Sequence, residues 1–389
     1  MMSEKWPVKG VGEVLTIIRN GLNCKQNKSG DGTPISRIET ISNAEINYEK
    51  VGYSEISEEH KEKFRLNKGD ILFSHINSPI HVGKTALVTS DQELIHGINL
   101  LLFRTSDEVL PAYLNYYLIY IFKSGYWLQN CKQSVNQASV NQTDIKKVTL
   151  PIPTLQEQQR IVEILDVAFE LIENWSSQIK QKSHNAKEIF HSAATNIFSQ
   201  KGIDWEEKTL GEICEILDKL RKPITKKDRV FGEYPYYGAS GIVDYVDGYI
   251  FDEKLILIGE DGAKWGSGEN TAFAVEGKCW VNNHAHVIRP NRSIVLDNWL
   301  IYYLNITDLT EHITGLTVPK LNQGNLRGIQ IPIAPLNQQQ DAVEKLDLLF
   351  QNVALLIETY RSETESLIEL KQSIMQRAFS GKLTGGITA

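Results

Sequence analysis

The sequence lacks the features that would tie it to a membrane, an oxidising compartment or a metal centre. No run reaches the roughly 18 consecutive apolar residues that a membrane span requires. The four cysteines, Cys24, Cys131, Cys214 and Cys279, lie far apart with no CxxC pair. That spacing speaks against a disulfide framework or a zinc motif. The opening MMSEKWPVKG shows no basic-then-apolar leader, so a cytoplasmic chain with reduced thiols is expected. The net charge of -7 argues against a chain coated in nucleic acid, though local basic patches remain compatible with it. What is present is ordinary: 389 residues, 41% hydrophobic and 23% charged, the balance of a globular chain of two or three domains.

Catalytic signatures are also missing. Gly83-Lys84-Thr85 resembles the tail of a phosphate loop, but Ser78-Pro79 stands where the first glycine belongs. Asn77-Ser78-Pro79-Ile80 resembles the Asn-Pro-Pro-aromatic motif of amino-methyltransferases without its first proline or its aromatic. No glycine-rich methyl-donor loop accompanies it. His284 and His286 are expected to share one face of a strand, with no third ligand for a metal. No nucleophile–base set has supporting context. The expectation is a chain with no catalytic residue, no metal site and no cofactor of its own.

Internal repetition organises the rest. Trp6-Pro-Val-Lys9-Gly-Val-Gly12-Glu13 and Trp205-Glu-Glu-Lys208-Thr-Leu-Gly211-Glu212 both read W-x-x-K-x-x-G-E. Asn141-Gln142 recurs as Asn322-Gln323, and Pro151-Ile-Pro-Thr-Leu155-Gln-Glu-Gln158 recurs as Pro332-Ile-Ala-Pro-Leu336-Asn-Gln-Gln339. Leu165-Asp166 and Phe169 recur as Leu346-Asp347 and Phe350. The chain is a tandem duplication with constant ends and divergent middles.

The constant ends read as long helices. Residues 154–200 and 336–380 contain neither glycine nor proline, and Gly202 and Gly381 follow them. The 3-4 spacing predicts a seam of Ile161, Ile164, Ala168, Leu171 and Trp175 in the first, followed by Ile189, Ala193 and Ile197. In the second the seam is Val343, Leu346, Phe350, Val353, Ile357 and Tyr360, continued more loosely by Leu367, Leu370 and Ile374. Helices this long need a partner, and the two seams are expected to pack on each other.

The divergent blocks read as mixed α and β. Residues 70–74, 84–88, 98–103, 255–258 and 285–288 have the short apolar pattern of strands, while 112–122 and a segment beginning at Trp299 look helical. No βαβ alternation is evident, so the fold class expected is α+β. Residues 219–229 carry Lys219, Arg221, Lys222, Lys226, Lys227 and Arg229 against one acidic Asp228, a density suited to phosphates. Tyr236, Tyr237, Ser240, Lys264, Trp265 and His284 follow around turns. In the first block Lys132–Gln142 is a polar run holding Gln133, Asn136, Gln137, Asn141 and Gln142, whose carboxamides suit adenine edges. Lys25, Lys28, His75, Asn77, Lys84 and Lys320 complete the candidate DNA contacts.

Both W-x-x-K-x-x-G-E starts, the stretch Tyr234-Pro-Tyr-Tyr-Gly-Ala-Ser-Gly241, the strand Leu255-Ile-Leu-Ile-Gly-Glu-Asp-Gly262 and the two Pro-x-x-x-Leu-x-x-Gln-Gln helix starts carry a resemblance. The chain resembles the DNA-specificity subunits of type I restriction–modification systems over essentially its whole length. The resemblance implies target-recognition domains over residues 1–150 and 202–331, with conserved helices over 151–201 and 332–389. It implies that the helices pair as an antiparallel coiled coil and that the two domains read two half-sites of double-stranded DNA across an unspecified gap. It further implies two methyltransferase subunits and translocating restriction subunits as partners, which would hold S-adenosylmethionine, ATP and Mg2+. A specificity subunit serving methylation alone, or a coiled-coil protein adaptor, stays open as the alternative.

Overall fold

Each half of the chain builds the same four-stranded antiparallel sheet. In the first, β1 (Leu15–Asn20), β2 (Ile71–Phe73), β3 (Thr85–Leu87) and β4 (Leu101–Thr105) lie in the order β1-β4-β2-β3. In the second, β5 (Cys214–Ile216), β6 (Leu255–Gly259), β7 (Ala272–Val275) and β8 (Ala285–Pro290) lie in the order β5-β8-β6-β7. The second half adds another sheet, built on strand Tyr234–Gly238 and holding one parallel pair. The expected α+β class is what the chain adopts. This computed structural model describes residues 6–42, 44–134, 137–315 and 317–384. The chain divides into two units, Met1–Gln178 with Glu363–Ala389, and Ile179–Ser362.

Helices α1 (Pro111–Lys123), α2 (Gln142–Lys146) and α3 (Leu155–Ser199) follow the first sheet, and α4 (Asp297–Ile306), α5 (Gln323–Gly328) and α6 (Leu336–Phe379) follow the second. The repeated motifs prove to be joints in this frame. Glu13 and Glu212 accept the backbone N–H of Gly10 and Thr209 at 2.7 and 2.6 Å, closing a turn before the sheet begins. At Gly12 a Cβ would stand 2.7 Å from Lys146 Cβ, and at Gly211 it would stand 3.2 Å from Arg327 Cβ. Glycine at these positions lets α2 and α5 approach the turn. Asn141 and Asn322 cap those helices, accepting from Asp144 N and Asn325 N at 2.9 Å each.

Both long helices form, and in each unit they run antiparallel. In the first unit α3 buries Val162, Leu165, Phe169 and Ile172 in one core with Met375 and Ala378 of α6. Lys371 of α6 lies 4.2 Å from the Phe169 ring centre and pairs with Glu173 at 3.1 Å, while Thr384 bonds Glu157 near the start of α3. In the second unit Phe190 of α3 meets Phe350 of α6 edge-on at 5.5 Å, and Phe198 shares a core with Val343 and Leu346.

The seam of α3 is displaced by one residue from its expected line. Ile161 is buried and Ile164 and Ala168 are half-buried, but Leu171 is 61% exposed, Trp175 55% and Ile189 57%. The observed line runs Val162, Leu165, Phe169, Ile172, Ile179, Ala186 and Phe190. Apolar residues occupy both lines up to position 172. Beyond it the expected line would meet Gln178, Lys182 and Asn185, whereas the observed one continues through Ile179 and Ala186. In α6 the expected line holds at Val343, Leu346 and Val353, with Ile357 and Tyr360 half-buried. Phe350 is 53% exposed despite its contact with Phe190, and Leu370 faces solvent, the line passing instead through Leu367 and Ile374.

Candidate nucleic-acid interface

In the first unit an open cavity of about 430 Å³ lies past the end of β2, lined by Asn20, His75, Asn77, Asn99 and Gln137 with Ile76 and Ile98. The sheet ends put them there. Asn20 closes β1, His75 and Asn77 follow β2, and Gln137 lies on strand Gln137–Ser139, which pairs with Ile76–Asn77 and with Lys132–Ser134. The wall is held by hydrogen bonds. Asn20 Nδ2 bonds His75 Nε2 at 3.2 Å, and Asn20 Oδ1 accepts from Gln142 Nε2 at 3.2 Å. Asn77 Nδ2 donates to Ser74 Oγ at 3.2 Å, and its Oδ1 accepts from Ser78 N at 2.8 Å. His75 is buried, which lowers its pKa, and its Nδ1 has no partner among the described residues.

The second unit places an ion network at the corresponding positions. Asp218 follows β5 as Asn20 ends β1, and Glu260 follows β6 as His75 follows β2. Gln323 Nε2 donates to Asp218 Oδ2 at 3.1 Å, repeating the bond from Gln142 to Asn20. Arg221 reaches Glu260 at 2.5 Å and Asp218 at 3.3 Å, Lys320 reaches Glu260 at 2.6 Å, and buried His286 meets Asp218 at 2.7 Å. Burial pushes the Asp218 carboxyl up, but the His286 ring, the Val287 N–H and Arg221 together hold it below its usual value. Asp218, Glu260 and His286 sit close enough to hold a metal ion. Arg221 and Lys320 already supply the matching positive charge, so the group is an ion-pair network.

The basic segment separates into two kinds of residue. Lys219, Lys222, Lys226 and Lys227 are exposed, the last two on a short turn of helix over Lys226–Asp228. Arg221 is instead spent on the ion network, a correction to its expected role at the surface. Arg229 pairs with Asp244 at 3.0 Å and lies over the Tyr236 ring. Tyr236 and Trp265 are buried, each with its polar atom bonded to backbone: Tyr236 Oη accepts from Ile224 N at 2.9 Å, and Trp265 Nε1 donates to Gly259 O at 3.0 Å. These two aromatics serve the core, since a large ring with a satisfied polar tip is buried more cheaply than it is exposed. His284 is exposed and paired with Asp261 in a turn before β8, so it does not share a strand face with His286. Tyr237 is half-buried, Ser240 is exposed, and Lys264 is exposed with Glu269 at 3.5 Å. In the first unit Lys25, Lys28, Lys132, Gln133 and Gln137 are exposed and Lys84 is half-buried. Asn136 lies outside the described residues. Sequence reading missed Asn20, Asn99, Asp218 and Glu260. The one signal for them is the recurrence of Gln142 as Gln323, whose side chains mark the same spot in both units.

The family model for the type I restriction modification DNA specificity domain matches residues 3–182 and again residues 202–363. The chain belongs to that family. This specificity chain is 32% identical to the putative type I restriction enzyme MjaX specificity subunit of Methanocaldococcus jannaschii, across 98% of its own length and 94% of that protein. A putative specificity subunit of Haemophilus influenzae is 38% identical over 38% of each chain. Among solved structures, a chain from work on assembly and conformational transition of the type I R-M system superposes with a TM-score of 0.76 at 20% identity, covering 98% of this chain and all of that one. The HsdS subunit from Thermoanaerobacter tengcongensis superposes with a TM-score of 0.54 at 20% identity, covering 98% of each chain. The two tandem domains and the paired long helices are the family's architecture. Among the described residues no helix is long and apolar enough to cross a membrane.

Proposed function

We propose that this specificity subunit reads a bipartite double-stranded DNA target, one half-site per unit, and scaffolds the methyltransferase and restriction subunits of a type I complex. Residues 1–150 and 202–331 are the recognition domains, and residues 151–201 and 332–389 carry the helices. The chain itself is non-catalytic and cytoplasmic; S-adenosylmethionine, ATP and Mg2+ belong to the partner subunits. The observation that carries this reading is that one frame is built twice with different chemistry at equivalent positions past the sheet ends. Asn20 and His75 in one unit are Asp218 and Glu260 in the other, while Gln142 and Gln323 hold both in the same way. A constant frame with changed side chains is what two readers of different sequences need.

Docking of two identical partners is supported by repetition on the outer helix faces. Val167, Leu171 and Trp175 form an exposed apolar row on α3, and Leu348 and Leu356 repeat its ends on α6. Exposed apolar rows of this kind mark protein contacts. The test is reconstitution of the chain with the methyltransferase subunits of its host and sequencing of the methylated DNA. A motif of two fixed blocks around an unspecified gap is expected. A continuous motif, or methylation without sequence preference, overturns the proposal.

A further inference from the structure

The cavity past β2 has the chemistry of one base-pair edge, and we propose that it is a base-reading pocket of the first recognition domain, selective for an adenine–thymine pair. This rests on the DNA-reading function proposed above. The pocket's polar wall carries no acidic, lysine or arginine side chain: three asparagines, one glutamine, one serine and an imidazole. A phosphate site would carry lysine or arginine there, and among the described lining residues there is neither. Carboxamides present a donor and an acceptor side by side, the complement of the N6 and N7 edge of adenine in the major groove. Asn77 is already oriented by Ser74 and by the Ser78 N–H. It keeps one amide hydrogen and one lone pair for a ligand. The side chains of Gln137 and Asn99 are exposed and make no hydrogen bond among the described residues. They are available without breaking any existing contact.

The apolar part of the wall fits the other half of the same pair. Ile76 is exposed and Ile98 half-buried at the cavity. An isoleucine beside the carboxamides suits the thymine methyl group, the feature that distinguishes thymine from cytosine in the major groove. Exposed Lys132 stands on the three-stranded sheet that carries Asn77 and Gln137, where a phosphate contact would set the register of the duplex. The second unit shows what the same position looks like when it is closed. Arg221 and Lys320 fill it by pairing with Asp218 and Glu260, and His286 packs against Asp218, so its reader must take bases elsewhere.

The test uses the chain assembled with its methyltransferase subunits, with binding selected from a library of randomised duplexes. Gln137→Ala and Asn99→Ala change exposed side chains and should leave the fold intact. Asn77→Ala removes the oriented amide. The expected result is that one adenine–thymine position in one half-site becomes degenerate, with discrimination falling about ten- to a hundred-fold. The other half-site and the gap stay as they were. Three results overturn the pocket: an unchanged motif in the folded Gln137→Ala/Asn99→Ala variant, relaxation at a guanine–cytosine position, or an equal loss on every sequence. Failure of the wild-type complex to select any bipartite motif would instead overturn the function on which the pocket rests.

Discussion

The side-chain carbonyl of Gln158 accepts the backbone N–H of Leu110 at 2.9 Å, tying the start of α3 to the start of α1. The same amide donates to Glu108 O at 2.9 Å and to Pro153 O at 3.0 Å, with no solvent exposure. Gln339 repeats the arrangement in the second unit, accepting from Leu296 N and donating to Ile294 O and Ala334 O. The recurrent glutamine of the Pro-x-x-x-Leu-x-x-Gln motif is thus a buried clasp between recognition domain and helix.

Removing the clasp should be costly. Gln158→Ala strands the half-buried Leu110 N–H and the buried Pro153 carbonyl, while the exposed Glu108 carbonyl can turn to water; each stranded group costs about 1–3 kcal/mol. A loss of about 2–4 kcal/mol is expected in urea denaturation. Gln158→Glu should not rescue it, because a carboxylate cannot donate to the two carbonyls. Wild-type stability in either variant would show that the clasp is ornamental.

Acid sensitivity of the first unit should centre on His96. The ring is fully buried, with Nε2 facing Leu100 O at 2.9 Å and Nδ1 without a partner among the described residues, and burial lowers its pKa to about 4. The unfolded chain takes up the proton near pH 6.5, so between those values the unfolded state binds more protons. Stability is therefore full above pH 6.5 and declines by about 3 kcal/mol as pH falls to 4. Denaturation at pH 7, 5.5 and 4.5 measures the slope. His96→Gln should flatten it, and an equal slope in that variant would assign the effect to other groups.

Duplication made most of the frame legible in the sequence, because joints such as Glu13 and Glu212 or Gln158 and Gln339 had to recur wherever the joint recurred. Five of the eight strands of the two main sheets follow from short apolar runs, and helix 112–122 extends one residue further at each end, whereas strands Leu15–Asn20, Cys214–Ile216 and Ala272–Val275 have no such signal. The helix seam was less legible, since α3 carries apolar residues on two adjacent lines and only their continuation past position 172 separates them. The interface was least legible. Arg221, Tyr236 and Trp265 have the composition of DNA contacts, yet burial and pairing turn them inward. Composition records which groups are available, and only the fold decides which are already spent.

That distinction predicts a split within residues 219–229. Lys226 and Lys227 are exposed. Replacing either with alanine should weaken binding to all sequences alike and lower the log–log salt slope by about one unit per lost phosphate contact. Arg221→Ala should remove the one arginine shared by Asp218 and Glu260, leaving Lys320 alone on Glu260. Its signature is a loss of stability in the second unit. A salt-slope change for Arg221→Ala without destabilisation would mean that the arginine leaves the network to bind DNA.

The apolar rows on α3 and α6 give the last prediction. Val167, Leu171 and Trp175 are spaced by one helical turn each, so they line one face and cover one patch. Trp175 is the residue type that most often anchors an interface. Its repeat in the second unit is Leu356, and that of Val167 is Leu348. If each row seats one methyltransferase subunit, Trp175→Glu should cost one partner and Leu348→Glu/Leu356→Glu the other. Loss of a tryptophan anchor lowers affinity by about thirty-fold or more. Mass measurement of the assembled complex should then read two methyltransferase copies for the parent chain, one for each variant and none for the combination. Because all of these side chains face solvent, the free chain should unfold as the parent does. Two copies retained in all variants at parental affinity would place the docking surface on the recognition domains instead.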